Sequence, residues 1–175
     1  MRPIPHDHGS VHLVADATLS DVPSPDLVLV PGGPGQNEQM ANRPVHEWLR
    51  GADATSSWTA SVCTGSLILA AAGLLTGCRA TSHWIALEHL GKFGAEATCQ
   101  RVMFDGKYVT AAGVSAGIDM ALALTARVAG EAAAQASQLM LEYDPEPPYG
   151  AGSPATAPQE VVECLRSRFR PILTG

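Results

Sequence analysis

The chain has 175 residues, 46% of them hydrophobic and 16% charged, the balance of one globular domain with a single sizeable core and not of a disordered segment. Eleven basic against seventeen acidic side chains leave a net charge of −6, which excludes a nucleic acid or an anionic membrane surface as the main partner. The opening "MRPIPHDHGS" lacks the charged-then-apolar order of a secretory signal, and the longest apolar run, 67–75, is too short to span a bilayer. Four cysteines (Cys63, Cys78, Cys99 and Cys164) are scattered without a CxxC pair. That reads as reduced thiols in the cytoplasm, with no disulfide framework and no metal site.

In chain order, residues 1–10 read as a flexible tail and 11–175 as one domain. His6 and His8 flank Asp7, but at a terminus without further ligands they read as a solvated tail and not as metal ligands. "PDLVLVPGG" is a valine-rich apolar run stopped by Pro-Gly-Gly, a buried parallel strand ending in a tight loop. "NRPVHEWLRGA" predicts a helix capped by Asn42, with Trp48 and Leu49 facing inward. "WTASVC" predicts a second buried strand, followed by a helix over 64–75 that Gly77 closes.

"RATSHW" predicts a third strand and "IALEHLGKFG" a helix ended by glycine. "TCQRVMFDGKYVTAAG" is two strand-like runs joined by Asp105-Gly106, a strong hairpin signal. "SAGIDMALALTARVAG" predicts a helix capped by Ser115, and "EAAAQASQLMLEY" another. Residues 144–158 are a proline- and glycine-rich loop, and 159–169 a closing amphipathic helix. There is no internal repeat and no interdomain linker.

Strands alternating with helices predict an α/β fold with a mostly parallel sheet covered on both faces. The carboxyl ends of such strands carry the chemistry. Gly32, Gly33, Cys63, Val114 and Ser115 all stand at such ends and are expected to converge on one crevice, with a small molecule as the expected partner. Cys63 sits where a strand turns sharply into a helix. That geometry projects the side chain out of the sheet and sets a thiolate against a helix N-terminus. Gly65 permits the close backbone approach. The N–H of Thr64, with one from the Gly32-Gly33 loop, can stabilise an anion there. His83, at the end of "RATSH", either approaches Cys63 or is a hydrogen-bonded strand-end histidine; both readings stand. Asp119 reads as a helix-start residue, and Trp84 and Tyr149 as pocket or core aromatics.

The combination of "PGG" after a strand, "SVCTGSLILAAAGLLTGCRATSHW" and "AAGVSAGIDMALAL" resembles the ThiJ/PfpI superfamily, and "QLMLEYDPEPPYGAGSP" followed by "TAP" is similar to its isonitrile (isocyanide) hydratase branch. The resemblance implies a flavodoxin-like doubly wound sheet with a nucleophile elbow, and a homodimer. It implies hydration of isocyanides to N-substituted formamides, through a thioimidate on Cys63, without metal or organic cofactor. Thr64 would orient substrate or water, and Gly32, Gly33, His83, Val114 and Ser115 would frame the oxyanion and substrate sites. The family's first strand, the helix after it and the acidic residue that hydrogen-bonds the cysteine have no counterpart in "MRPIPHDHGSVHLV". Asp7 and Asp16 do not follow an apolar strand, so the acid's role is carried onto neither. The expected fold is therefore N-terminally incomplete. Two other functions fit the elbow: the ligand-sensing domain of AraC-type regulators, and a non-catalytic protein whose cysteine responds to oxidants.

Overall fold

The computed structural model describes residues 4–5 and 12–174, with side chains described over 13–169. Ile4–Pro5 (β1) and His12–Leu13 (β2) form a short antiparallel pair; the His6-Asp7-His8 reading lies outside the described residues. The valine-rich run forms β3 (Leu27–Val30), followed by a short helix α1 (Gln36–Met40) and by α2 (Arg43–Thr55). As expected, Asn42 caps α2, its side chain accepting the N–H of Val45 at 3.4 Å, with Pro44 in the first turn. Leu49 is fully buried, which contributes about 2 kcal/mol. Trp48 is only half-buried, because its indole N–H reaches out to the Val22 carbonyl at 3.0 Å.

Next come β4 (Trp58–Val62) and α3 (Gly65–Ala71). The helix is shorter than the predicted 64–75. Gly73, at φ +85°, ends it in a reversal in which the N–H of Leu74 bonds the carbonyl of Leu69 at 3.1 Å. The third predicted strand shrinks to β5 (Arg79–Ala80), which pairs with β6 (Glu96–Ala97) outside the main sheet. Side chains take over where its ladder would continue: the Thr81 N–H donates to Thr110 Oγ1 at 2.8 Å and the Ser82 hydroxyl to the Cys63 carbonyl at 3.1 Å. Between β5 and β6 the chain coils as a 3₁₀ helix over Leu87–Phe93.

The Asp105-Gly106 hairpin forms as predicted, joining β7 (Val102–Asp105) to β8 (Tyr108–Ala111). Helices α4 (Ala116–Ala129), α5 (Glu131–Met140) and α6 (Gln159–Thr174) complete the chain. Ser115 holds the N-cap position of α4 but makes no side-chain cap, because its hydroxyl accepts from Arg101 at 3.2 Å instead.

The main sheet has the order β3-β4-β8-β7, with β3, β4 and β8 parallel and β7 antiparallel. Its register aligns Val30 with Ser61 and Val62 with Ala111, so the residues that follow each parallel strand meet at one edge. One face packs Val28 against Leu49, Leu67 and Leu69 of α2 and α3; the other packs Ala60 and Val109 against Met120 and Leu124 of α4. Strand β3 is one edge of this sheet among the described residues, and Leu27 and Leu29 are 42% and 51% exposed there. Among the described residues no helix is long and apolar enough to cross a membrane, and no cluster of His, Cys, Asp and Glu could hold a metal.

Candidate active site

Strand β4 delivers Cys63 with φ +60°, a left-handed backbone that costs an L-residue about 1 kcal/mol. The surroundings enforce it. The Cys63 N–H donates to the carbonyls of Ala111 and Ala112 at 3.0 and 2.8 Å, and its own carbonyl accepts from the Ser66 and Ser82 hydroxyls at 3.2 and 3.1 Å. The turn also needs two side-chain-free neighbours. A Cβ on Gly65 would lie 2.1 Å from the Val30 carbonyl oxygen, and one on Gly32 would lie 2.5 Å from both the N and Oγ1 of Thr64.

Thr64 is buried beside the thiol. Its Oγ1 accepts the Gly33 N–H at 3.0 Å, and the Thr64 N–H and hydroxyl both act on the Cys63 thiol in favour of the thiolate. Burial pushes the Cys63 thiol above its ordinary pKa, and these two donors pull only partly against it. Burial thus works against the thiolate expected at the N-terminus of α3. Of the N–H groups expected to form an anion-stabilising pair, that of Gly33 already has a partner in the Thr64 hydroxyl.

His83 lies across the same cavity. Its Nδ1 accepts the Ile85 N–H at 3.3 Å, so the neutral ring carries its proton on Nε2, and burial lowers its pKa. The imidazole is therefore neutral at physiological pH. Cys63, Thr64, His83, Gly33, Pro34 and Gln36 line a cavity of about 240 Å³, whose remaining walls are Trp84, Ile85, Leu165 and Phe169.

The structure brings Gly33, Cys63, Thr64 and His83 together, with Gly32 packed directly behind Thr64. Val114 and Ser115 are not among the lining residues: Val114 is 80% exposed, and Ser115 is turned to Arg101. Their neighbour Gly113 packs against His83 instead, where a Cβ would meet the ring at 3.4 Å. Asp119 pairs with Arg101 and accepts from the Tyr143 hydroxyl at 2.9 Å, a structural role. Trp84 lines the cavity, whereas Tyr149 is 80% exposed and away from it. Sequence reasoning missed Gln36, Leu165 and Phe169. The apolar spacing of the last helix was visible, but not the surface it covers.

Fold and site together define an α/β protein with a strained cysteine at a strand-to-helix elbow, opening on a small apolar cavity. Residues 2–127 match the DJ-1/PfpI family, and the chain belongs to it. It is 44% identical over 163 residues to the isonitrile hydratase of Pseudomonas putida, spanning 93% of this chain and 72% of that one. It is 33% identical over 118 residues to the HTH-type transcriptional regulator CdhR of Pseudomonas aeruginosa, covering 66% of this chain and 35% of the regulator. Among solved structures, a ThiJ/PfpI family protein from Pseudomonas syringae superposes with a TM-score of 0.94 at 37% identity, covering 98% of this chain and 72% of that chain.

Proposed function

We propose that this protein hydrates isocyanides to N-substituted formamides, with Cys63 as the nucleophile and no cofactor. The observation that carries the reading is the enforced left-handed backbone at Cys63, which aims a thiol into an apolar cavity beside a neutral imidazole. Similarity to an isonitrile hydratase over most of the chain supports the substrate class.

The Cys63 sulfur attacks the terminal carbon of R–N≡C, and the thiol proton is delivered to that same carbon, giving the thioimidate R–N=CH–S–Cys63. Water adds across the C=N bond, and the tetrahedral adduct collapses to R–NH–CHO, returning the proton and electron pair to sulfur. Splitting the hydration in two replaces one difficult addition by two easier ones. Thr64 holds the sulfur in line. The Nε2–H of His83 is the group available to hold water or the developing nitrogen charge. We assign the working form to a cytoplasmic homodimer; the exposed apolar run Leu139, Met140 and Leu141 favours the self-association.

A second reading, ligand sensing without turnover, is favoured by one feature: among the described residues the titratable groups lining the cavity are Cys63 and His83, with no carboxylate to pass the proton. Rapid quenching of the protein with p-nitrophenyl isocyanide separates the two. Hydration predicts an intact-mass adduct of one isocyanide on the Cys63 peptide, followed by free formamide. Reversible binding with neither product favours sensing.

A further inference from the structure

Four side chains of α6 follow the spacing i, i+3, i+4, i+7: Val162, Leu165, Arg166 and Phe169. They form one stripe of the helix. Val162 is buried, Leu165 is half-buried, and Phe169 remains 37% exposed although it is apolar. Leu165 and Phe169 face the Cys63 cavity. The Arg166 guanidinium lies 5.8 Å from the centre of the Trp84 ring, itself part of the cavity wall, so a cation–π contact fixes the helix at this point. The loop over 141–158 that leads into α6 contains no buried side chain. The stripe is thus the described contact of α6 with the cavity wall.

The cavity combines polar groups in its wall, among them Cys63, Thr64 and His83, with apolar side chains that include Leu165 and Phe169 of α6. Its volume of about 240 Å³ exceeds the roughly 150 Å³ that houses benzene in an apolar protein cavity, leaving room for an aromatic ring and a two-atom reactive head.

We propose that α6 is the specificity wall of this site, with Leu165 and Phe169 receiving the apolar substituent of a molecule whose reactive carbon meets the Cys63 sulfur. The proposal rests on the hydratase reading for the identity of that molecule, but the wall itself can be tested without turnover. Iodoacetamide and N-benzyl iodoacetamide carry the same electrophile; in both the Cys63 thiolate displaces iodide to form a thioether, and only the second carries a group that reaches α6. Rates at Cys63 are read from the mass of its peptide, which sets aside the other cysteines.

The native protein should react with the benzyl reagent in a saturable manner. Leu165→Ala and Phe169→Ala should each slow that reaction about tenfold and change the iodoacetamide rate less than twofold, while Phe169→Met should recover most of the loss. A benzyl-to-plain ratio unchanged in both alanine variants, or a fall of both rates in proportion, overturns the proposal. Should the native protein show this ratio effect and yet form no formamide, the hydratase reading fails and the wall stands.

Discussion

The two ends of the main sheet bury titratable groups in opposite ways. At the amino end Asp53 is almost fully buried, and each carboxylate oxygen has partners. Oδ1 accepts from the Thr59 hydroxyl at 2.6 Å; Oδ2 accepts from the Tyr108 hydroxyl at 3.2 Å and pairs with Lys107 Nζ at 3.2 Å. Burial, with the Asp53 charge adding to it, pushes the Tyr108 hydroxyl up to about 12. At the carboxyl end Cys63 and His83 are also shifted by burial, but they face open volume and not a closed ring of partners. A perturbed group is therefore no mark of chemistry by itself; the mark is a perturbed group with hydrogen-bonding capacity left over and space for a reactant.

The largest expected effect that would break this comparison comes from Gly65→Ala. A Cβ there would run into the Val30 carbonyl, main-chain atoms that cannot swing aside, so destabilisation of about 3 kcal/mol is expected in urea unfolding, with loss of Cys63 reactivity. Asp53→Ala acts on the other end. It strands the Thr59 and Tyr108 hydroxyls and should cost about 2 kcal/mol while leaving the alkylation rate of Cys63 within twofold of native. If Cys63 slowed in step with the lost stability, the two ends would not be separable.

Thr64→Val should be milder for stability and direct for chemistry. It removes the acceptor of the Gly33 N–H and the hydroxyl that favours the Cys63 thiolate, so alkylation by iodoacetamide should slow about fivefold and its pH midpoint should move higher. The smallest expected effect lies in the native pH profile. Burial raises the thiol pKa, so the thiolate fraction, and with it the alkylation rate, should still be climbing above the ordinary thiol value of about 8.5. Because burial lowers the pKa of His83, its protonation should show only below about 6.5, as a change of slope that His83→Gln removes.

Much of this architecture was readable from residues. The Asp105-Gly106 hairpin, the Asn42 cap and the elbow at Cys63 are each encoded within a few positions and formed as expected. The valine run of β3 forms the expected parallel strand but lies at a sheet edge with Leu27 and Leu29 exposed, not buried. What escaped depends on partners distant in the chain. The strand predicted at "RATSHW" is curtailed by Thr110 and by the Cys63 carbonyl, groups that periodicity over 79–84 cannot reveal. Leu165 is about a hundred residues from Cys63; its spacing told that α6 has an apolar face, not that the cavity lies under it. The thiol's raised pKa was hidden for a related reason. A helix N-terminus is local and visible in sequence, whereas desolvation is a property of the assembled walls.

The most direct measurement is formamide production from p-nitrophenyl isocyanide by the native protein and by Cys63→Ala, each first verified as folded by its unfolding transition. The account predicts turnover by the native protein and a loss of at least about a thousandfold in the variant. Formamide formed by Cys63→Ala at the native rate, or none from a folded native protein whose Cys63 still alkylates, would contradict it.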